Sequence, residues 1–141
     1  MDNAISATWY DLPEKGRDEY ISWLHEVYIP KVLKRNGYLW GAHVENVWDI
    51  EREKEKERIL VHTDDPNIPV GNDYLMLFGA EMPVTFVNPS TSQLEETWSS
   101  DEKEMLSYRI GERSCIFMAQ DRIEGLESAA RSPGITPGPA I

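Results

Sequence analysis

The alternation of apolar and polar positions predicts a strand, a helix and a second strand in the first third of the chain. Residues 4–10 form an apolar run of strand length, which Asp11-Leu12-Pro13 ends. Asn36-Gly37 is a helix C-cap signal, and the aromatic run 38–48 that follows is typical of a strand. Between these strands, large side chains recur at i, i+3, i+4, i+7 and i+8, which places them on one helical stripe: Tyr20, Trp23, Leu24, Val27 and Tyr28. Pro30 predicts a kink or a tightened turn in this helix.

The same order of elements returns towards the C-terminus. Residues 74–80 are apolar at both parities, which indicates a central strand that is buried on both faces. Ser92 with Glu95, and Ser99 with Glu102, have the spacing of a capping box and predict an interrupted second helix that ends at Gly111. Residues 115–119 are predicted as the fourth strand.

Taken together, the predicted elements give an α+β fold with the order βαββαβ. Right-handed crossovers place both helices on one face of a four-stranded antiparallel sheet, which is a ferredoxin-like sandwich. We expect one domain over residues 1–126, with an irregular insertion at 49–72 between strands two and three. Residues 127–141 are rich in Pro and Gly and are predicted to form a tail that lies across a partner subunit or the domain edge.

The other face of this sheet has no cover in the predicted fold. Large apolar side chains occur on both faces of strands two and three. If about five of them stayed exposed to water, the fold would lose about 1.5–3 kcal/mol of hydrophobic stabilisation for each. We therefore expect a homodimer whose two sheets close around an interior cavity, a dimeric α/β barrel.

Charge and composition exclude several partners. The formal net charge of −11 repels phosphate backbones and anionic lipid, so neither nucleic acid nor a membrane is expected as a partner. No apolar stretch is long enough to span a bilayer, and the first residues lack the features of a signal peptide, so we expect a cytoplasmic protein. Cys115 is the single cysteine and allows no intramolecular disulfide.

One segment resembles a known family. Trp23-Leu24-His25-Glu26-Val27-Tyr28-Ile29-Pro30, followed by Asn36-Gly37-Tyr38, resembles the helix-to-strand signature of the dimeric α/β-barrel superfamily. That superfamily includes EthD-like proteins, antibiotic-biosynthesis monooxygenases, polyketide cyclases and muconolactone isomerases. Many relatives read Trp-Tyr-x-x-Glu-His-Ile-Pro and then Pro-Gly-Phe. Here Val27 and Tyr28 stand in place of the Glu and the His, so no catalytic role is carried over from that pair.

His43 and Glu45 are the predicted catalytic residues. They lie two positions apart on the second strand, so they project from one face at a separation of about 7 Å and could act as an oriented general base. Gly41 on the same face would leave room for a ligand beside His43. The alternative is that this face packs on the helices, so that His43 and Glu45 are structural. The pocket would then be lined by the other face of the strand: Tyr38, Trp40, Val44 and Trp48.

Aromatic residues on three strands are the predicted ligand-binding residues: Trp9, Trp40 and Tyr74. His25 is expected in solvent, and His62 in a turn-rich loop whose spacing matches no metal-ligand pattern, so no metal is predicted. No phosphate-binding loop and no Cys-x-x-Cys is present, so no cofactor is predicted either.

Two function classes remain. The first is a cofactor-independent enzyme of monooxygenase, cyclase or isomerase type that acts on a small aromatic or hydrophobic molecule in the barrel cavity. The second is a non-catalytic homodimer that binds such a molecule or is structural. A cavity of about 300 Å³ or more with His43 in its wall would favour the enzyme, and a cavity filled by aromatic side chains would favour the second class.

Overall fold

The computed structural model describes residues 2–47 and 70–127, which form an α+β fold with a four-stranded antiparallel sheet. The strands are β1 (Ala4–Asp11), β2 (Tyr38–Glu45), β3 (Tyr74–Ala80) and β4 (Ile110–Met118). Their order in the sheet is β2-β3-β1-β4. The predicted four-stranded antiparallel sheet is therefore confirmed, although β4 begins five residues earlier than the apolar run 115–119 indicates.

Short helices fill the two connections between parallel-running strands. The first connection contains α1 (Arg17–Trp23), a π-helical segment (Leu24–Tyr28) and α2 (Ile29–Val32). The second contains α3 (Val84–Val87), α4 (Thr91–Glu95) and α5 (Ser100–Leu106). Among the described residues, no helix is long and apolar enough to cross a membrane.

The π-helical segment shifts the buried stripe of the first helical region. The Ile29 N–H bonds to the Leu24 carbonyl five residues back, and Pro30, which comes next, has no N–H to donate. The helix is thus widened before Pro30 and not tightened. Because the wider turn takes more residues, the fully buried positions recur at intervals of four: Tyr20, Leu24, Tyr28 and Val32. Val27, which the regular helical period places on the buried stripe, is 44% exposed.

Two capping boxes define the starts of α4 and α5. Ser99 and Glu102 form the predicted box at α5. At α4 the box is made by Ser90 and Gln93, and the prediction of Ser92 as the capping residue was wrong. Ser92 lies within α4, because the helix begins two residues earlier than the Ser92–Glu95 spacing suggests.

The two faces of the sheet differ in what covers them. Side chains on one face form the core with the helices, where Tyr10 pairs with Tyr74 and Thr8 with Met76 across β1 and β3. The other face, here called the open face, is covered by none of the described helices. It carries the alternate positions of all four strands: Ile5, Trp9, Trp40, Val44, Leu75, Leu77 and Phe117.

Several sequence predictions concern residues outside the described ranges. His62 and Trp48 belong to this group, as does nearly all of the predicted insertion at 49–72. So does the predicted tail at 127–141, except for Glu127. Of the insertion, Gly71 is described and lies against the backbone of Tyr10 and Gly111, where no side chain fits.

Candidate functional site

A cavity of about 200 Å³ lies between the helices and the core face of the sheet. Its sheet wall includes Thr8, Met76, Phe78 and Ser114. Much of the rest of its lining is polar or charged. These residues come from the helical connections and from the starts of β2 and β4: Tyr28, Arg35, Tyr38, Glu95, Arg109 and Glu112. Two arginines and two glutamates in the wall of one cavity mark it as a candidate site, because charged groups are rarely withdrawn from water without a role.

Arg109 is a deeply buried charge at this cavity. Its side chain is 6% exposed, and its Nη1 forms a 2.7 Å ion pair with Glu112. Its Nε donates a 2.7 Å hydrogen bond to the Tyr20 hydroxyl, and its Nη2 lies 3.9 Å from the Met76 sulfur. The guanidinium carbon also lies 5.1 Å from the centre of the Tyr28 ring. Among the described residues, Nη2 thus has a weak sulfur acceptor, and the guanidinium also interacts with the Tyr28 side chain.

Tyr28 and Glu95 form a hydrogen-bonded pair in the cavity wall. The Tyr28 hydroxyl donates to Glu95 Oε1 at 2.6 Å, which connects the π-helical segment to α4. Burial raises the pKa of the Tyr28 phenol well above its ordinary value, and the nearby Glu95 carboxylate raises it further. The phenol thus stays protonated and acts as a fixed donor that orients the carboxylate.

Arg35 and Tyr38 are also part of the cavity wall. Arg35 follows α2, and both of its Nη atoms are buried without a hydrogen-bond partner among the described residues. The same holds for the Tyr38 hydroxyl. The Arg35 guanidinium carbon lies 5.8 Å from the ring centres of Tyr38 and Trp98, so aromatic faces are its nearest compensating groups.

His43 faces the helices and not the open face. Its Nε2 is 2.5 Å from the Tyr10 hydroxyl, and its Nδ1 is 2.9 Å from Nε2 of the exposed His25. Burial lowers the pKa of His43 to about 4, and His25 and Arg109 lower it as well, so the ring is neutral at pH 7. A neutral ring has one donor and one acceptor nitrogen, and either tautomer satisfies both bonds.

His43 does not line the cavity, but it reaches the cavity through Tyr10. The Tyr10 ring lies 5.3 Å from the Arg109 guanidinium carbon. The prediction that Gly41 leaves room for a ligand beside His43 was wrong. A Cβ at this position would meet the Phe78 ring at 2.9 Å and the Ile29 side chain at 3.1 Å, so the space is already filled by packing.

The other predicted site residues do not line the cavity either. Trp9, Glu45 and Tyr74 line a shallow cleft of about 220 Å³ at the end of the sheet where β2 ends and β3 begins. His43 bonds to Tyr10 and His25, and the described residues include no hydrogen bond between His43 and Glu45. Trp40 lies on the open face over Gly79, and its Nε1 donates to Asp2 Oδ2 at 3.2 Å. The structure thus brings Trp9, Glu45 and Tyr74 to one cleft, and the His43 ring stacks on Tyr74 with ring centres 5.5 Å apart, whereas Trp40 does not line this cleft.

Sequence reasoning missed the charged residues of the cavity. Arg35 and Arg109 each follow a helix, where a basic residue is common and carries no functional signal. The alternation of Glu112 and Ser114 along β4 was a usable signal, because it places polar groups on one face of a strand. Which face that is depends on the register with β1, where Ser114 pairs with Thr8, and the sequence does not show this pairing.

The described residues contain no group of three or more His, Cys, Asp or Glu side chains that could hold a metal ion. Comparison of the chain with protein-family models finds no match, and comparison with curated proteins finds no significant relative.

Proposed function

We propose that this protein is a cofactor-independent enzyme that moves a proton on a small aromatic or hydrophobic molecule held between the helices and the sheet. The observation that carries this proposal is that the Tyr28–Glu95 pair and the buried Arg109 face the same cavity of about 200 Å³. A carboxylate can take a proton, and a buried cation can stabilise the negative charge that remains on the substrate.

In this proposal each group has one role. Glu95 accepts a proton from the substrate, with its carboxylate held in place by the Tyr28 hydroxyl. The electron pair left behind is delocalised onto a substrate oxygen, and Arg109 stabilises that oxygen with its Nη2 donors. Return of the proton to a different substrate atom completes an isomerisation. His43 touches Tyr10, which packs on Arg109, so its role here is to position the cation.

The fold and the assembly are part of the same proposal. The strand order β2-β3-β1-β4 is that of a ferredoxin-like sheet, and it agrees with the resemblance of residues 23–39 to the dimeric α/β-barrel superfamily. Tyr28, which stands in place of that family's His, is a cavity residue. The apolar open face supports a homodimer, since Val44 and Phe117 there are 45% and 47% exposed.

Two observations favour a second candidate function, a non-catalytic binding protein. The cavity is smaller than the volume of about 300 Å³ that typical ligand sites reach. His43 is also absent from its lining. In that case the charged groups would fix the orientation of a bound molecule and transfer no proton.

The experiment that tests the enzyme is a screen of small aromatic compounds for binding and turnover, followed by Glu95→Gln. Loss of the carboxylate should leave binding intact and lower turnover about 100-fold or more. Glu96→Gln, at the exposed neighbouring position, is the matched control and should turn over normally. Turnover that survives Glu95→Gln removes Glu95 as the base. Binding without turnover by the parent protein supports the non-catalytic alternative.

A further inference from the structure

We infer that the molecule held in this cavity carries a carboxylate, and that Arg35 binds it. The inference rests on the proposed binding function and adds the charge of the ligand and the residue that recognises it. Arg35 differs from Arg109 in how its donors are used. Arg109 donates to Glu112 and to the Tyr20 hydroxyl. Both Nη atoms of Arg35, in contrast, are buried and bond to no described residue.

A buried guanidinium whose donors form no hydrogen bond destabilises the fold, because it has lost its hydration and gained only weak partners. The rings of Tyr38 and Trp98 at 5.8 Å compensate part of this cost. The Tyr38 hydroxyl adds a second buried donor without a partner to the same cavity wall. A bound ligand that carries a hydrogen-bond acceptor would satisfy these donors.

The geometry and charge of the wall favour a carboxylate. A guanidinium presents parallel N–H groups in a plane, and a carboxylate accepts two of them at once. Glu95 and Glu112 also line the cavity, so a dianion such as a phosphate ester would meet two negative groups. A monoanion fits better. Glu95 itself does not serve as the acceptor, because it forms no ion pair with Arg35 and instead accepts from Tyr28.

The aromatic residues of the cavity wall indicate which chemical group of the ligand lies beside the carboxylate. Tyr38 packs edge-on against Phe78 and Phe86, with ring centres 5.8 and 5.3 Å apart. Aromatic faces and edges of this kind suit a flat apolar group. A cavity of about 150 Å³ is known to hold benzene. The present cavity of about 200 Å³ therefore has room for one ring with a carboxylate.

The test is a pair of ligands of similar shape, of which one is an anion and the other is neutral. Benzoate and benzamide have nearly the same shape, and both can be titrated calorimetrically into the full chain. We expect benzoate to bind at least about tenfold more tightly, which corresponds to about 1.4 kcal/mol. Equal binding of the two overturns the carboxylate inference and leaves the proposed cavity intact. Binding of neither overturns both.

Substitutions then locate the anion. Arg35→Met keeps an unbranched apolar stem and removes the cation, so the preference for benzoate over benzamide should disappear. Arg35→Lys keeps the charge without the planar fork and should retain only part of the preference. The matched control is Lys34→Met, at the neighbouring position. Lys34 is exposed and lies outside the cavity lining, so its loss should leave the preference for benzoate unchanged.

Folding of Arg35→Met is checked by its melting temperature. We expect the melting temperature to rise without ligand, because a buried cation with no acceptor has been removed. Benzoate should raise the melting temperature of the parent protein and not of Arg35→Met. A preference for benzoate that survives in a folded Arg35→Met variant overturns the assignment of Arg35.

Discussion

The Tyr10 hydroxyl and His43 Nε2 lie 2.5 Å apart and join β1 to β2 across the intervening strand β3. The two rings are nearly parallel, at 10°, and His43 also stacks on Tyr74 of β3 with ring centres 5.5 Å apart. His25 and Arg109 are the cationic or titratable groups that approach from the other elements. This arrangement holds His43 neutral and makes the stability of the fold depend on pH.

We expect stability to fall as the pH is lowered from about 6.5 to about 4. The pKa of His43 is about 4 in the folded chain, and an unfolded histidine titrates near 6.5, so only the unfolded state gains a proton in this window. After allowance for the partial exposure of the ring, the loss should be about 1–2 kcal/mol. Denaturant unfolding of the parent and of His43→Gln between pH 4 and 7 measures it. A stability difference between them that does not change with pH contradicts the prediction.

Tyr28→Phe should destabilise the protein by about 1–2 kcal/mol, because it removes the donor to Glu95 and leaves the packing of the buried ring unchanged. Tyr108→Phe is the matched control, since the Tyr108 hydroxyl bonds to no described residue. Urea denaturation of both variants gives the difference. Equal effects would mean that the Tyr28–Glu95 bond contributes nothing to stability.

Gly79→Ala should cost about 1–3 kcal/mol, since a Cβ there overlaps the indole of Trp40 and forces it from the open face. Gly125→Ala is the control, because a Cβ at that position meets nothing within 4 Å. The tryptophan fluorescence of Gly79→Ala should change with the melting temperature. A variant as stable as the control would show that Trp40 moves aside at no cost.

Arg109→Met should destabilise the protein by about 3 kcal/mol, at the lower end of the range for breaking a buried ion pair, because Glu112 is 45% exposed. Arg113→Met removes a cation that lies 4.5 Å over the Trp9 ring on the open face, and it should cost less than about 1 kcal/mol. Thermal unfolding of the two variants compares them directly. A smaller loss for Arg109 than for Arg113 would contradict this account of the cavity.

Val44→Lys should convert the proposed homodimer into a monomer, because it places a charge on the apolar open face. Val27→Lys is matched in exposure, at 44% against 45%, and lies on the π-helical segment away from the sheet. Sedimentation should give twice the chain mass of 16.2 kDa for the parent and Val27→Lys, and the single mass for Val44→Lys. A monomeric parent at micromolar concentration rules out the dimer.

The order of strands and helices could be predicted from the sequence because it is a local property. Apolar alternation and the Asn36-Gly37 cap place β1, the first helical region and β2 within a few residues of their positions. The burial of Tyr20, Leu24 and Tyr28 follows from the same pattern. These predictions need only the backbone geometry of neighbouring residues.

The faces of the strands were not decided by the sequence. Residues of one parity share a face, so Gly41, His43 and Glu45 were correctly grouped. Whether that face meets the helices or the open side depends on how the crossover connections pack on the sheet. The structure places it against the helices, where Phe78 fills the space beside Gly41.

The charged cavity is a product of the tertiary structure alone. Arg35 and Arg109 are 74 positions apart, and Glu95 and Tyr28 are 67 apart. No local pattern links such residues, because their approach depends on the register of β4 with β1 and on the one-residue shift in the π-helical segment. Local propensities thus determined which elements form, and long-range packing determined which side chains of those elements were left facing one another.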